Sequence, residues 1–126
     1  MSPPTGRAIL VADDNDDQRV LCAELLTLAG YEVIEARDGT EAIALASARL
    51  PGLILMDVTM PGTSGWNAVR ALRQQPETRG IPIVVITGLG ESWDRDASFA
   101  AGSDDYMVKP VPPQRLLEEV RKFLLP

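Results

Sequence analysis

Leu53-Ile54-Leu55-Met56-Asp57, followed by Val58-Thr59-Met60-Pro61-Gly62, decides how this chain is read. Four consecutive apolar residues fit a strand buried on both faces, as in a parallel sheet, and they run directly into a carboxylate. Burying an ionised carboxylate is costly unless something compensates it. Asp57 therefore belongs at the strand's mouth, facing a cation, a hydrogen-bond donor or a reagent, and the remaining segments must supply those partners.

Similar runs recur on either side. Ala8-Ile9-Leu10-Val11-Ala12 ends in Asp13-Asp14-Asn15-Asp16-Asp17. Asn15 or Asp16 is placed to cap a helix in which Val20, Leu21, Leu25 and Leu28 repeat at helical spacing until Gly30. Residues 31–36 alternate polar and apolar, as an outer strand does. Asp38-Gly39-Thr40-Glu41 then opens a helix through Ala42, Ile43, Leu45, Ala46 and Leu50, ended by Pro51-Gly52. After the Asp57 strand, Trp66, Ala68, Val69 and Leu72 mark a third helix that gives way at Gln75-Pro76. Residues 81–87 form another apolar run, ending in Thr87, and Gly88-Leu89-Gly90 leads to a fourth helix over about 91–101. A short strand over residues 105–108 delivers Lys109 before Pro110, and Pro113 opens an amphipathic fifth helix carrying Leu116, Leu117, Val120 and Leu124. Five strands alternating with five helices predict a single α/β domain, a parallel sheet with helices on both faces.

At 126 residues there is room for one sizeable core and not for a separate output module. The net charge of -6 disfavours direct nucleic-acid binding, which needs clustered Lys and Arg. The single cysteine, Cys22, excludes an intrachain disulfide and reads as a small buried hydrophobe. Residues 1–7 read as a flexible leader ahead of a domain over 8–126. No stretch approaches the roughly 18 apolar residues of a membrane span, so no membrane role and a cytoplasmic location are expected.

In a parallel α/β sheet, ligands bind outside the carboxyl ends of the strands. Four strands here end in groups suited to phosphate chemistry: Asp13 with Asp14, Asp57, Thr87, and Lys109. Crowded carboxylates repel one another unless a cation sits between them. Mg2+ answers that need, since it takes one or two carboxylates and leaves room for phosphate oxygens. Asp57 is then placed to attack phosphorus in line, with Lys109 and the metal balancing the equatorial oxygens and Thr87 donating a hydrogen bond. The chain has no histidine, and nothing in the set is poised to activate water, so a lingering phosphoryl group is expected rather than rapid hydrolysis. Taken singly, Asp13 and Asp14 read as helix-capping acids, Thr87 as a strand-end hydroxyl, Lys109 as a surface lysine and Tyr106 as half-buried core. Independent readings of that kind do not explain why the polar groups fall at successive strand ends.

Asp13-Asp14, Asp57 with Met60-Pro61-Gly62 and Gly65 behind it, Thr87-Gly88, and Tyr106-Met107-Val108-Lys109-Pro110 together resemble the receiver domain of two-component response regulators, the CheY-like family. The resemblance covers nearly the whole chain, in order. It implies a flavodoxin-like, doubly wound five-stranded sheet in the order 2-1-3-4-5. It implies that Asp57 is the phosphoacceptor and that Mg2+ is held by Asp14, Asp57 and the backbone carbonyl of Thr59, with Asp13 acting through water. It also implies that Lys109 pairs with the phosphoryl group, that the Lys109-Pro110 bond is cis, and that Thr87 and Tyr106 form a two-state switch. A histidine kinase or histidine phosphotransfer protein would be the donor. A downstream protein would bind the face made by the fourth helix, the fifth strand and the fifth helix. On that face Arg95 and Phe99, four residues apart on the side of the fourth helix away from its alanines, join Tyr106 as a candidate partner surface. Thr59 and Leu89 stand where the family varies and are expected to tune phosphoryl lifetime, and Val111 stands where phenylalanine often follows the Lys-Pro pair. A phosphatase or phosphotransferase of the haloacid-dehalogenase type also uses an aspartate nucleophile with Mg2+, but wants a second aspartate where this chain has Thr59. A flavodoxin-like electron carrier would need a Ser-, Thr- and Gly-rich loop where this chain has acids.

Overall fold

The three central runs pair as strands because each is apolar on both faces, while the outer two are only partly buried. The computed structural model describes residues 8–58, 65–88 and 99–124. The strands are β1 (Ala8–Ala12), β2 (Glu32–Ala36), β3 (Leu53–Asp57), β4 (Ile83–Thr87) and β5 (Asp105–Val108). They form one parallel sheet in the order β2-β1-β3-β4-β5. This is the doubly wound order, reversing between β1 and β3. β4 starts two residues later than the expected run: Pro82 has no N–H for the ladder, although its carbonyl still accepts from the Ile54 N–H.

Four helices lie among the described residues: α1 (Asp16–Leu28), α2 (Gly39–Arg49), α3 (Gly65–Gln74) and α4 (Pro113–Arg121). Residues 99–101 are helical as well, at the end of the expected fourth helix, whose earlier part lies outside the described residues. The leader at residues 1–7 lies outside them too, as do Thr59 to Gly62, Leu89, Trp93 and Arg95. Asn15 caps α1, its side chain accepting from the Gln18 N–H, and Asp38 caps α2 in the same way through the Glu41 N–H. Leu50 is no core residue of α2. It is the left-handed C-cap at φ 47°, which the following Pro51 favours by disfavouring further helix.

Two cores flank the sheet. On one side Leu10, Ile54, Met56, Ile83 and Val85 pack with Ala42 and Ala46 of α2 and with Ala68, Val69 and Leu72 of α3. On the other, Ile9, Val11, Leu53, Leu55 and Val84 pack with Leu26 of α1 and with Leu116 and Val120 of α4. The expected apolar face of α1 is corrected by this arrangement. Val20, Leu21 and Leu28 are exposed, Leu28 at 87%, while Arg19, Ala23 and Leu26 are buried. Two stripes with helical spacing coexist in this helix, and the sheet takes the one containing the small Ala23, which lets the helix approach closely.

Candidate functional site

Strand register assembles the site. Ala12 pairs with Met56, Asp57 with Ile86, and Thr87 with Val108. One residue beyond these pairs stand Asp13 on the first strand and Lys109 on the fifth, so the chemically distinctive residues reach one edge of the sheet. The Lys109 N–H donates to the Thr87 carbonyl at 2.7 Å, holding the end of β5 against the end of β4. The pleat then sorts the side chains, because successive residues of a strand face opposite sides. Asp57 continues the Leu53, Leu55 row and Asp13 the Ile9, Val11 row, toward α1 and α4. Thr87 continues the Ile83, Val85 row, toward the α2 and α3 side, where Tyr106 also packs.

Asp57 is 3% exposed, and the Lys109 ammonium donates to its Oδ2 at 2.7 Å. A buried carboxylate thus has its cation, as its position at the end of an apolar strand required. The same ammonium donates to Gln18 Oε1 at 3.1 Å. Gln18 occupies the third position of α1, from which a glutamine ordinarily reaches back to the N-cap amide. Here Asp13 Oδ1 already accepts the Asn15 N–H at 2.9 Å, and the Gln18 side chain crosses to Lys109 instead.

One oxygen each from Asp13, Asp14 and Asp57 lie within 4.8 Å of one another. Burial pushes the Asp13 carboxyl up from 3.8 to about 6; the Asn15 N–H opposes this, the Asp57 charge adds to it, and Lys109 pulls back. An acid that resists ionising beside two others is in surroundings that a cation would relieve. An all-oxygen donor set suits a hard ion, so the residues present fit a divalent cation bound among the three carboxylates. Thr59, whose carbonyl was expected to complete the set, lies outside the described residues. Asp14 is exposed.

Thr87 is buried. Tyr106 is half-buried, and the Phe99 ring stands edge-on to it with centroids 6.1 Å apart; Phe99 itself is 48% exposed. Arg95, the third member of that candidate surface, lies outside the described residues. The Lys109-Pro110 peptide is cis, as the resemblance implied. Cys22 is half-buried and its thiol is pushed up to about 12, first by burial and then by the charges of Asp13 and Glu35, consistent with an inert packing residue. A groove of about 590 Å³ opens beside Asp57 and Lys109, walled by Leu21 and Leu25 of α1 and by Val111, Pro113 and Leu116 at the start of α4.

The sequence reading missed two residues at this edge. Gln18 was hidden because it read as an ordinary first-turn residue. Arg19 was hidden because a charged residue in a helix reads as solvent-facing, yet it is buried and reaches the Asp13 carbonyl at 3.0 Å. The available signal was its position four residues before Ala23 and seven before Leu26, on the buried stripe.

The family profile described as the response regulator receiver domain matches residues 9–121. The chain belongs to this family. The phosphate regulon transcriptional regulatory protein PhoB of Pseudomonas aeruginosa is 38% identical over 119 residues, a match covering 94% of this chain and 52% of that protein. Chemotaxis protein CheY4 of Vibrio cholerae superposes with a TM-score of 0.88 at 33% identity, covering 93% of this chain and 98% of that one. The receiver domain of sensor histidine kinase PA1611 of Pseudomonas aeruginosa PAO1, whose structure holds a magnesium ion coordinated in its active site cleft, superposes at 0.86 with 30% identity, covering 94% of this chain and 97% of that one. This receiver spans about half the length of the transcriptional regulators it matches. Membership carries the two-component receiver function and leaves the haloacid-dehalogenase alternative without support. Among the described residues no helix is long and apolar enough to cross a membrane.

Proposed function

We propose that residues 8–126 form a receiver unit in which Asp57 accepts a phosphoryl group from a phosphohistidine donor, on a histidine kinase or a histidine phosphotransfer protein. An Asp57 carboxylate oxygen attacks phosphorus, the P–N bond breaks, and the leaving imidazole keeps the electron pair and takes up a proton. An aspartyl phosphate results. The observation that carries this reading is the buried Asp57 carboxylate, held at 2.7 Å by Lys109 with the Asp13 and Asp14 oxygens beside it.

Lys109 holds its charge where the equatorial oxygens of the transferring group would pass, and its second anchor on Gln18 limits the rotamers it must search. Asp14, Asp57 and the Thr59 carbonyl, with Asp13 through water, would hold Mg2+, in keeping with the magnesium ion in the PA1611 receiver cleft. Bound there, Mg2+ supplies the positive charge that lets one anion approach another. No histidine is present and none of these groups is poised to activate water, so the chain's own hydrolysis of the aspartyl phosphate would be slow. Its only chemistry is this self-modification and its slow reversal.

Thr87 would hydrogen-bond one of the phosphoryl oxygens and, with Tyr106, pass the modification on as a two-state switch to a protein bound over Arg95, Phe99 and Tyr106. The acidic net charge favours a protein partner there over direct contact with nucleic acid, and the unit would work in the cytoplasm. Incubation with Mg2+ and acetyl phosphate, followed by intact-mass measurement, should give one acid-labile phosphoryl adduct. Its absence, or its survival in Asp57→Ala, would overturn the assignment.

A further inference from the structure

Arg19 has no place in the chemistry above, yet it is 8% exposed on a helix whose neighbouring Asp17, Gln18 and Val20 all face solvent. Its guanidinium donates to the turn after β1, to β2 and to its own helix. NH1 reaches the backbone carbonyl of Asp13 at 3.0 Å, Nε reaches Glu35 Oε1 at 3.1 Å, and NH2 pairs with Asp16 Oδ1 at 2.7 Å. The carbonyl it grips belongs to the peptide joining Asp13 to Asp14. The preceding amide, the Asp13 N–H, donates to the Ala36 carbonyl at 3.0 Å. The turn carrying both acids is therefore tied twice to the end of β2, directly through Ala36 and through Arg19 to Glu35.

Arg19 has two possible influences on a cation bound among the carboxylates, and they have opposite signs. As a positive charge a short distance from the pocket, it would repel a divalent ion, so removing it would tighten binding. As a clamp on the Asp13 carbonyl, it fixes where the two carboxylates start, so removing it would loosen binding. The geometry favours the second. The guanidinium meets the turn through a backbone carbonyl rather than a carboxylate, and its charge is already paired with the carboxylates of Asp16 and Glu35. A planar fork with donors in three directions suits this task, whereas an ammonium could satisfy only part of it.

We propose that Arg19 is a positioning residue for the divalent-cation pocket: by pinning the Asp13 carbonyl to Glu35, it holds the Asp13 and Asp14 carboxylates at the spacing a hard ion requires. The inference rests on the reading of that pocket as the Mg2+ site of a phosphoryl acceptor. Residues that orient metal ligands from behind typically change affinity by about 10- to 100-fold when replaced.

The test is Mg2+ titration by calorimetry on the full chain, wild type against Arg19→Gln, Arg19→Lys and Glu35→Gln. Acetyl phosphate labelling rates are measured across the same Mg2+ range. Arg19→Gln and Arg19→Lys should each bind Mg2+ about tenfold more weakly, and saturating Mg2+ should restore labelling to within about twofold of wild type. Tighter or unchanged Mg2+ binding in a folded Arg19→Gln protein overturns the proposal, as does a labelling deficit that saturating Mg2+ leaves in place. Should Arg19→Gln fail to fold, Glu35→Gln decides. It keeps the grip on the carbonyl and weakens only the far anchor, so a severalfold loss of affinity supports the proposal and wild-type affinity overturns it. Wild-type protein that binds no Mg2+ would bring down the underlying reading as well, whereas normal wild-type binding with unaffected variants removes Arg19 alone.

Discussion

A Cβ on residue 65 would lie 2.7 Å from the carbonyl oxygen of Asp57. The first residue of α3 and the last of β3 thus approach so closely that only a glycine hydrogen fits between them. The other obstacles, Val58 Cα and Cγ1 at 2.8 Å, include backbone that cannot swing aside. Gly65→Ala should therefore destabilise the protein by about 1–3 kcal/mol in urea titrations and slow labelling by acetyl phosphate, because the strand end bearing Asp57 must shift. Gly80→Ala, where an added Cβ meets nothing within 4 Å, is the control and should leave both measurements unchanged.

Removing the cation from the Asp57 pair leaves a buried carboxylate without its partner. Lys109→Met should lower the stability of the metal-free protein by about 1–3 kcal/mol, less than for a fully enclosed pair because the Lys109 side chain is 29% exposed. Labelling should slow at least tenfold, on the order seen when one charge-stabilising group is lost from a reaction centre. Added Mg2+ should raise the thermal midpoint of Lys109→Met more than that of the wild type, since it replaces a missing charge.

Asp13 gives the protein a pH dependence of defined sign. Its folded-state value of about 6 stands above the ordinary 3.8, so its contribution to stability is complete below about 3.8 and is lost as pH rises through 6. Asp13→Asn should therefore stabilise the metal-free protein at pH 7.5 by about 1–2 kcal/mol, with the gain vanishing near pH 4, as followed by thermal melts across that range. With Mg2+ present the wild type should recover the difference, and its Mg2+ affinity should fall as pH drops below about 6 because the ion must displace a proton.

The two apolar stripes of α1 should separate cleanly by mutation. Leu28→Lys, at an 87% exposed position, should change stability by no more than about 0.5 kcal/mol. Leu26→Ala, at a position with no exposure, should cost about 2–4 kcal/mol. Equal effects in chemical denaturation would mean that the helix is rotated from the placement described.

The strands were legible because a parallel sheet buried on both faces leaves uninterrupted apolar runs, and a carboxylate at the end of such a run, as at Asp57, has few structural explanations. Helix faces were less legible. In α1 the Leu21, Leu25, Leu28 series and the Arg19, Ala23, Leu26 series have identical spacing; hydrophobicity alone selects the first, of which only Leu25 packs against the core. Glu119 shows the same limit on the last helix. It reads as surface, yet it is wholly buried, with Arg115 at 2.8 Å and Lys122 at 3.1 Å on one oxygen and, among the described residues, no partner for the other. Buried charges held by partners distant in sequence, such as Arg19 with Glu35, leave no periodic trace. Asp13, Asp57 and Lys109 could be listed from the sequence, but their convergence depended on a register that only the folded sheet fixes.

The alternation of the pleat places Asp57 and Asp13 on one side of a sheet a single peptide thick, and Thr87 and Tyr106 on the other. The sheet therefore acts as a partition with writing on one side and reading on the other. Under the proposed function, substitutions along α1 can change which donor addresses the chain while the wall behind Tyr106, and whatever listens there, stays as it was.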